Sequence, residues 1–192
     1  MSRFELSDNR WMRLLDSADA GELFELIDSN REHLARWMPF VSQTRSAEDS
    51  LAFIRSARRQ LAENRGMQLG IFAGASLIGV AGFHRVDWAT RSTSIGYWLA
   101  EDRQGHGTMT LAAAAMLDHA FGVWRLQRVE IRAGVENHRS RAIPERLGFR
   151  ETGVLRGAER IGARVIDHVI YAMTAPEWEP LSASRRPAAS WA

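Results

Sequence analysis

The 192-residue sequence predicts an α+β fold, a single domain in which helices cover both faces of a mixed, mostly antiparallel sheet. Three observations predict it. Residues 68–99 hold three short apolar runs joined by tight turns, the mark of an antiparallel meander. Residues 92–121 read in succession as a strand, a glycine-rich loop and an amphipathic helix. Strand and helix patterns then alternate to about residue 173. The chain is 45% hydrophobic and 25% charged, ordinary globular values, and a domain of this length buries roughly 70% of the surface that its unfolded chain exposes. Neither a disulfide nor a structural metal is needed to fold it.

Element by element, residues 11–15 read as a first strand interrupted by Arg13. Behind the capping residues Asp16 and Ser17, Ala20, Leu23, Phe24, Leu26 and Ile27 recur at helical spacing. A second helical piece, 31–37, stops before Pro39. Ser46 and Asp49 form a capping box that opens a helix to about Asn64, with Leu51, Ile54 and Leu61 on its buried side and Gly66 ending it. Strands follow at 68–72, 77–86 and 92–99, the first two joined by a turn at Gly74, Ala75 and Ser76. After the loop 100–107, Met109, Ala112, Ala113, Met116, Leu117 and Ala120 mark one face of a helix. A strand at 128–135, a helix at 140–147 and closing strands at 149–156 and 165–173 complete the pattern. Beyond Trp178 the composition shifts to Pro, Ser, Ala and Arg, so the domain is expected over 1–180 and a mobile tail over 181–192.

Composition excludes several chemistries. All 25 basic residues are arginine, and a chain without lysine can form no Walker P-loop, Schiff base or kinase strand lysine. With no cysteine there is no thiolate nucleophile or zinc thiolate site. The formal net charge of +2 is too near balance to argue for nucleic acid. The first residues hold no apolar signal core, and no stretch approaches the roughly 18 apolar residues of a membrane span, so a soluble cytoplasmic protein with no membrane partner is expected. His33, His84, His106, His119, His138 and His168 show no ligand spacing, so no metal is expected; G-x-S-x-G is absent too.

Two clusters carry chemistry. Arg103, Gln104, Gly105, His106, Gly107, Thr108 and Met109 stand between a strand and the helix that they open. Glycines there admit a ligand close to the backbone, and the helix start adds about half a positive charge, a combination suited to a diphosphate. The same residues also make a plain strand-to-helix turn. A dinucleotide fingerprint needs a third glycine at position 110, which is Thr110, and a βαβ pattern that the preceding meander contradicts. The second cluster, Asn137, His138, Arg139 and Ser140, opens a helix ending in Leu147, Gly148 and Phe149. Read by itself, it is equally a helix cap with a left-handed stop.

Taken together, with the meander before them and the strand pair after, the clusters resemble the Gcn5-related N-acetyltransferase superfamily, whose acetyl-CoA motif is Q/R-x-x-G-x-G/A. Arg103 or Gln104, with Gly105 and Gly107, fills that motif in the variant Q-G-x-G-x-M-T, and Asn137 with Ser140 matches N-x-x-S before a helix ending in L-G-F. Leu34, Trp37, Met38 and Pro39 look like the H-L-x-x-W-x-P element of RimJ/RimL-type ribosomal-protein N-terminal acetyltransferases. Asp167, His168, Tyr171, Glu177 and Trp178 are similar to that branch's closing residues. The resemblance covers about residues 10–178.

It implies direct transfer of acetyl from acetyl-CoA to an amine, with the cofactor wedged where two strands splay apart. Tyr97, Trp98, Leu99 and Ala100 would pair with the pantetheine arm, and amides from Gln104 to Met109 would hold the diphosphate. Asn137 and Ser140 would approach the pantetheine and sulfur. A backbone N–H at Leu99 or Ala100 would meet the developing oxyanion and Ser140 the leaving thiolate. Glu159 occupies the place of the branch's base, between the final strands, and is alternatively a solvated turn residue paired with Arg160. Glu101 and Asp102 are weaker as bases because they flank the phosphate loop. Trp37 and Trp98 are candidates for the acceptor cleft. The acceptor implied is a protein N-terminus, the rival a small amine such as an aminoglycoside, polyamine or amino acid. A CoA-binding sensor without turnover is the reading from another class, and a homodimer is expected from the branch.

Overall fold

A computed structural model describes residues 3–7 and 9–184. Eight strands form one sheet in the order β1-β2-β3-β4-β5-β6-β8-β7: β1 (Phe4–Ser7), β2 (Arg10–Leu14), β3 (Met67–Ala73), β4 (Ser76–Phe83), β5 (Ser92–Leu99), β6 (Arg128–Gly134), β7 (Arg150–Ile161) and β8 (Arg164–Thr174). All neighbours are antiparallel except β5 and β6, which run parallel because a helix carries the chain between them.

One face is covered by α1 (Ala20–Ser29), the short α2 (Arg31–Leu34) and α3 (Ala47–Ala62). Leu23 and Ile27 of α1 and Ile54 of α3 meet Leu15, Phe72, Leu77 and Val80 there. The Ser46 and Asp49 capping box expected at the start of α3 is present. The other face carries α4 (Thr108–Asp118), α5 (His138–Leu147) and α6 (Ala175–Ala183) over the larger core of Leu69, Ile71, Phe83, Ile95, Val129, Ile131 and Met173. Ala112, Ala113, Ala114 and Ala115 of α4 are all buried, and such small side chains let the helix lie close to its neighbours. No helix among the described residues is long and apolar enough to cross a membrane.

The structure corrects four expectations. β1 lies ahead of the expected first strand, and its Phe4 is buried; four residues are too few to display an alternation. The strand expected to end at Val86 stops at Phe83. β7 continues to Ile161 instead of ending at Arg156, so the turn of the closing hairpin is Gly162 and Ala163. The tail expected from residue 181 begins inside α6, whose Leu181 packs against the core and whose Trp178 donates its indole N–H to Asp118 (2.8 Å). Two prolines hide that helix in the sequence, yet Pro176 sits in the first turn, where no N–H is needed, and Thr174 with Glu177 closes a capping box. Residues 185–192 of the expected tail lie outside the described residues.

Candidate active site

The parallel pairing of β5 with β6 stops at Ile95 opposite Ile131. β5 runs on to Leu99 and β6 to Gly134 without pairing, so a gap opens in the middle of the sheet. Ala100 donates its N–H to Ile78 O on the β4 side (2.9 Å). Antiparallel alternation then turns the backbone groups of Tyr97 and Leu99 the other way, into the gap. The Ala100 N–H is thus committed to β4 and Ala100 does not line the cavity, so of the two backbone donors expected at the thioester only that of Leu99 faces the gap.

A cavity of about 880 Å³ spans the gap and the loop after β5. Its lining includes Trp37, Tyr97, Trp98, Leu99, Arg103, Gln104, Gly105, Gly107, Thr108, Met109, Asn137 and Ser140. Of the residues expected at the cofactor, only Ala100 and His106 are missing from that wall. Gly105 and Gly107 hold φ of +84° and +73°, and a Cβ built on either would have no atom within 4 Å, so the loop presents bare backbone to open space. The first intrahelical bond of α4 runs from Leu111 N–H to Gly107 O (3.1 Å). The N–H groups of Thr108, Met109 and Thr110 therefore have no partner within their own helix and point out of its positive end. This cradle fits the diphosphate of a CoA molecule, and the gap beside it fits the extended arm.

Groups that the sequence did not reveal brace the loop. The Arg10 guanidinium, from β2, donates to His106 O and to Thr108 Oγ1 (both 2.8 Å), so His106 contributes its carbonyl to a brace rather than its ring to the cavity. Nearly a hundred residues separate the partners, beyond any local pattern. Gln104 accepts from Arg139 of α5 (3.1 Å) and directs its amide N–H groups to His33 Nε2 (2.8 Å) and Leu99 O (3.4 Å). With its Nε2 accepting from Gln104, His33 keeps its proton on Nδ1, which faces Glu101 Oε1 at 3.6 Å. Glu101 is thereby held toward α2.

Asn137 lines the cavity and caps α5, its Oδ1 accepting from Ser140 N–H (3.2 Å). Burial pushes the Tyr97 phenol up, and its hydroxyl donates to Ser140 O across the gap (3.0 Å). On the far side of α5, Arg141 donates to Tyr171 Oη (2.9 Å) and to Val135 O (3.0 Å), and Tyr171 donates to Glu145 (2.7 Å).

Glu159 stands within β7 opposite Ile166, not on the turn, and it is not part of the cavity wall. A bulge between Leu155 and Glu159 sets its position, with Asp167 filling the bulge by accepting from Gly157 N–H (2.8 Å) and Arg156 (2.6 Å). The Gly157 N–H first, and Arg156 with it, hold the Asp167 carboxyl below the usual range. Cross-strand partners share a face, so Glu159 lies on the face of Ile166. A Cβ built on Gly134 would meet the Trp37 ring at 3.0 Å and Ile166 Cγ2 at 3.2 Å, so Trp37 closes the β6 end of the gap on that same face. Burial pushes the imidazoles of His84 and His168 down, Arg132 adds to it, and Glu159 opposes it, which places both imidazoles within electrostatic reach of Arg132 and Glu159. The described residues contain no group of three His, Cys, Asp or Glu positioned to hold a metal ion.

Residues 10–150 match the family described as the acetyltransferase (GNAT) domain, and the chain belongs to that family. It is an acetyl-CoA-dependent N-acetyltransferase. Among curated relatives, YdaF of Bacillus subtilis is 36% identical over 176 residues, spanning 91% of this chain and 96% of the relative. The ribosomal-protein-serine acetyltransferase of Escherichia coli is 29% identical over 150 residues, 78% of this chain and 84% of the relative. Among solved structures, RimJ of Mycobacterium smegmatis in complex with CoA-disulfide has a TM-score of 0.84 at 26% identity, covering 95% of this chain and 91% of that one.

Proposed function

We propose that this enzyme acetylates the N-terminal α-amine of a protein, a ribosomal protein in the first instance, by direct attack within a ternary complex in the cytoplasm. The observation that carries the reading is the gap itself: a diphosphate cradle opens at one mouth, and Trp37 closes the β6 end on the face that Glu159 shares with Ile166. The Escherichia coli relatives support the acceptor class, one named for a ribosomal-protein serine and another, 26% identical over 181 residues, for an alanine of ribosomal protein uS5.

Amides from Gly105 to Thr110 would hold the diphosphate, Tyr97 and Leu99 the arm by their gap-facing backbone, and Asn137 its amides. When bound, acetyl-CoA supplies the acetyl thioester and departs as the thiol. The Leu99 N–H donates where the thioester oxygen gains charge. The Ser140 hydroxyl donates to the departing sulfur. Glu159 takes the proton from the amine, directly or through water. The demand on that base is modest, because an α-amine with a pKa near 8 is already about a tenth neutral at pH 7, whereas a lysine side chain faces about 4.6 kcal/mol.

The test is CoA release from acetyl-CoA with a panel of N-terminal peptides and small amines. Turnover on peptides is expected; turnover on small amines alone would overturn the acceptor class. Ser140→Ala and Glu159→Gln are each expected to lower kcat by about tenfold to 10⁴-fold with little change in melting temperature. An unaltered kcat removes the residue from the mechanism.

A further inference from the structure

Pro144 lies inside α5. In an unbroken helix the N–H at that position would donate to the carbonyl four residues back, which is Ser140 O, and proline has no N–H to give. That carbonyl nevertheless has a donor, because the Tyr97 hydroxyl reaches it from β5 at 3.0 Å. Two coincidences meet at this atom. The one bond that the helix forfeits belongs to a residue that lines the cavity, and the group that replaces it comes from the strand on the opposite side of the gap. The replacement is durable, since burial keeps the Tyr97 phenol protonated throughout the range in which an amine acceptor is acetylated. On its other side α5 is held by Arg141, bonded to Val135 O and Tyr171, and the Tyr97 hydroxyl ties its first turn to β5.

We propose that Tyr97 is a positioning residue for acetyl transfer: its hydroxyl occupies the carbonyl that Pro144 leaves open and so fixes the first turn of α5, and Ser140 with it, at a set distance across the gap from Leu99. The strand donor for the oxygen and the helix donor for the sulfur sit on separate elements, and their separation must match the thioester. A strut between them sets that spacing. The proposal rests on the role given above to Ser140.

The geometry also supplies its own rescue. Tyr97→Phe deletes the hydroxyl and leaves Ser140 O without its donor; adding Pro144→Ala restores an N–H four residues on, able to close the ordinary helical bond to the same carbonyl. Tyr97→Phe is expected to lower kcat about tenfold while the KM for acetyl-CoA and the Kd for CoA change less than threefold, and to lower the melting temperature. The double variant is expected to regain most of the melting temperature and at least part of kcat. A Tyr97→Phe enzyme with unchanged kcat, or one whose melting temperature Pro144→Ala does not raise, would overturn the proposal. An unchanged kcat in Ser140→Ala overturns the serine's role instead, and the melting temperatures then judge the tie by themselves.

Discussion

His119 makes stability depend on pH in a way that can be worked through. It follows α4 in a π-helical turn (His119–Val123), is only 9% exposed, and has the rings of Trp124, Phe4 and Phe83 around it at 4.7, 6.1 and 6.2 Å between centroids. Burial pushes its imidazole down to about 4 from a usual 6.5. The folded state thus holds it neutral, and as pH falls through 6.5 the unfolded chain takes up the proton first. Stability is complete above 6.5 and declines below it at about 1.4 kcal/mol per pH unit until the folded state also binds the proton. The loss at pH 5 is about 2 kcal/mol, or roughly 4–8 °C in melting temperature for a chain of this size. The assay is urea or thermal unfolding at pH 7.5 and 5.0 for the wild type and His119→Gln, which carries no titrating ring. His84 and His168 titrate in the same direction in both proteins and cancel in the comparison. A variant that loses as much stability as the wild type over this interval would refute the reasoning.

Two predictions concern the cradle. Gly107→Val puts a branched side chain at φ +73° on the loop surface that faces the ligand, and is expected to weaken CoA binding at least a hundredfold in calorimetry; normal affinity would refute the cradle. Arg10→Ala removes both bonds to the loop and is expected to weaken CoA about tenfold with no change in acceptor KM, whereas unchanged affinity would show that the loop holds its shape without the brace.

Much of the fold was legible because local rules and tertiary structure agree. The capping box at Ser46, the turn at Gly74 and the three antiparallel strands of the meander all appear where the sequence puts them. The glycine turn between β5 and α4 was legible for the same reason, since two glycines between a strand and a helix leave few conformations. What failed depended on register or distance. Only the hydrogen-bond alternation of β5 tells Leu99 from Ala100, and that phase is set by β4. Gly157, Ala158, Glu159 and Arg160 look like a turn, but the Asp167 carboxylate satisfies the bulge and lets the strand continue, so Glu159 sits on a rigid rung. Arg10 and His33 act across 70 to 100 residues of chain, where composition and spacing carry no signal.

The single parallel seam divides the molecule's labour. Only four residue pairs join β5 to β6, and the strands on either side hold different duties. The half before the seam carries the loop after β5 with Arg10 and His33 beside it; the half after it carries Asn137, Arg139, Ser140 and Glu159. Substitutions on β7 and β8 can therefore accumulate at a distance from the loop between β5 and α4, so the proposed base and the proposed diphosphate cradle can change separately.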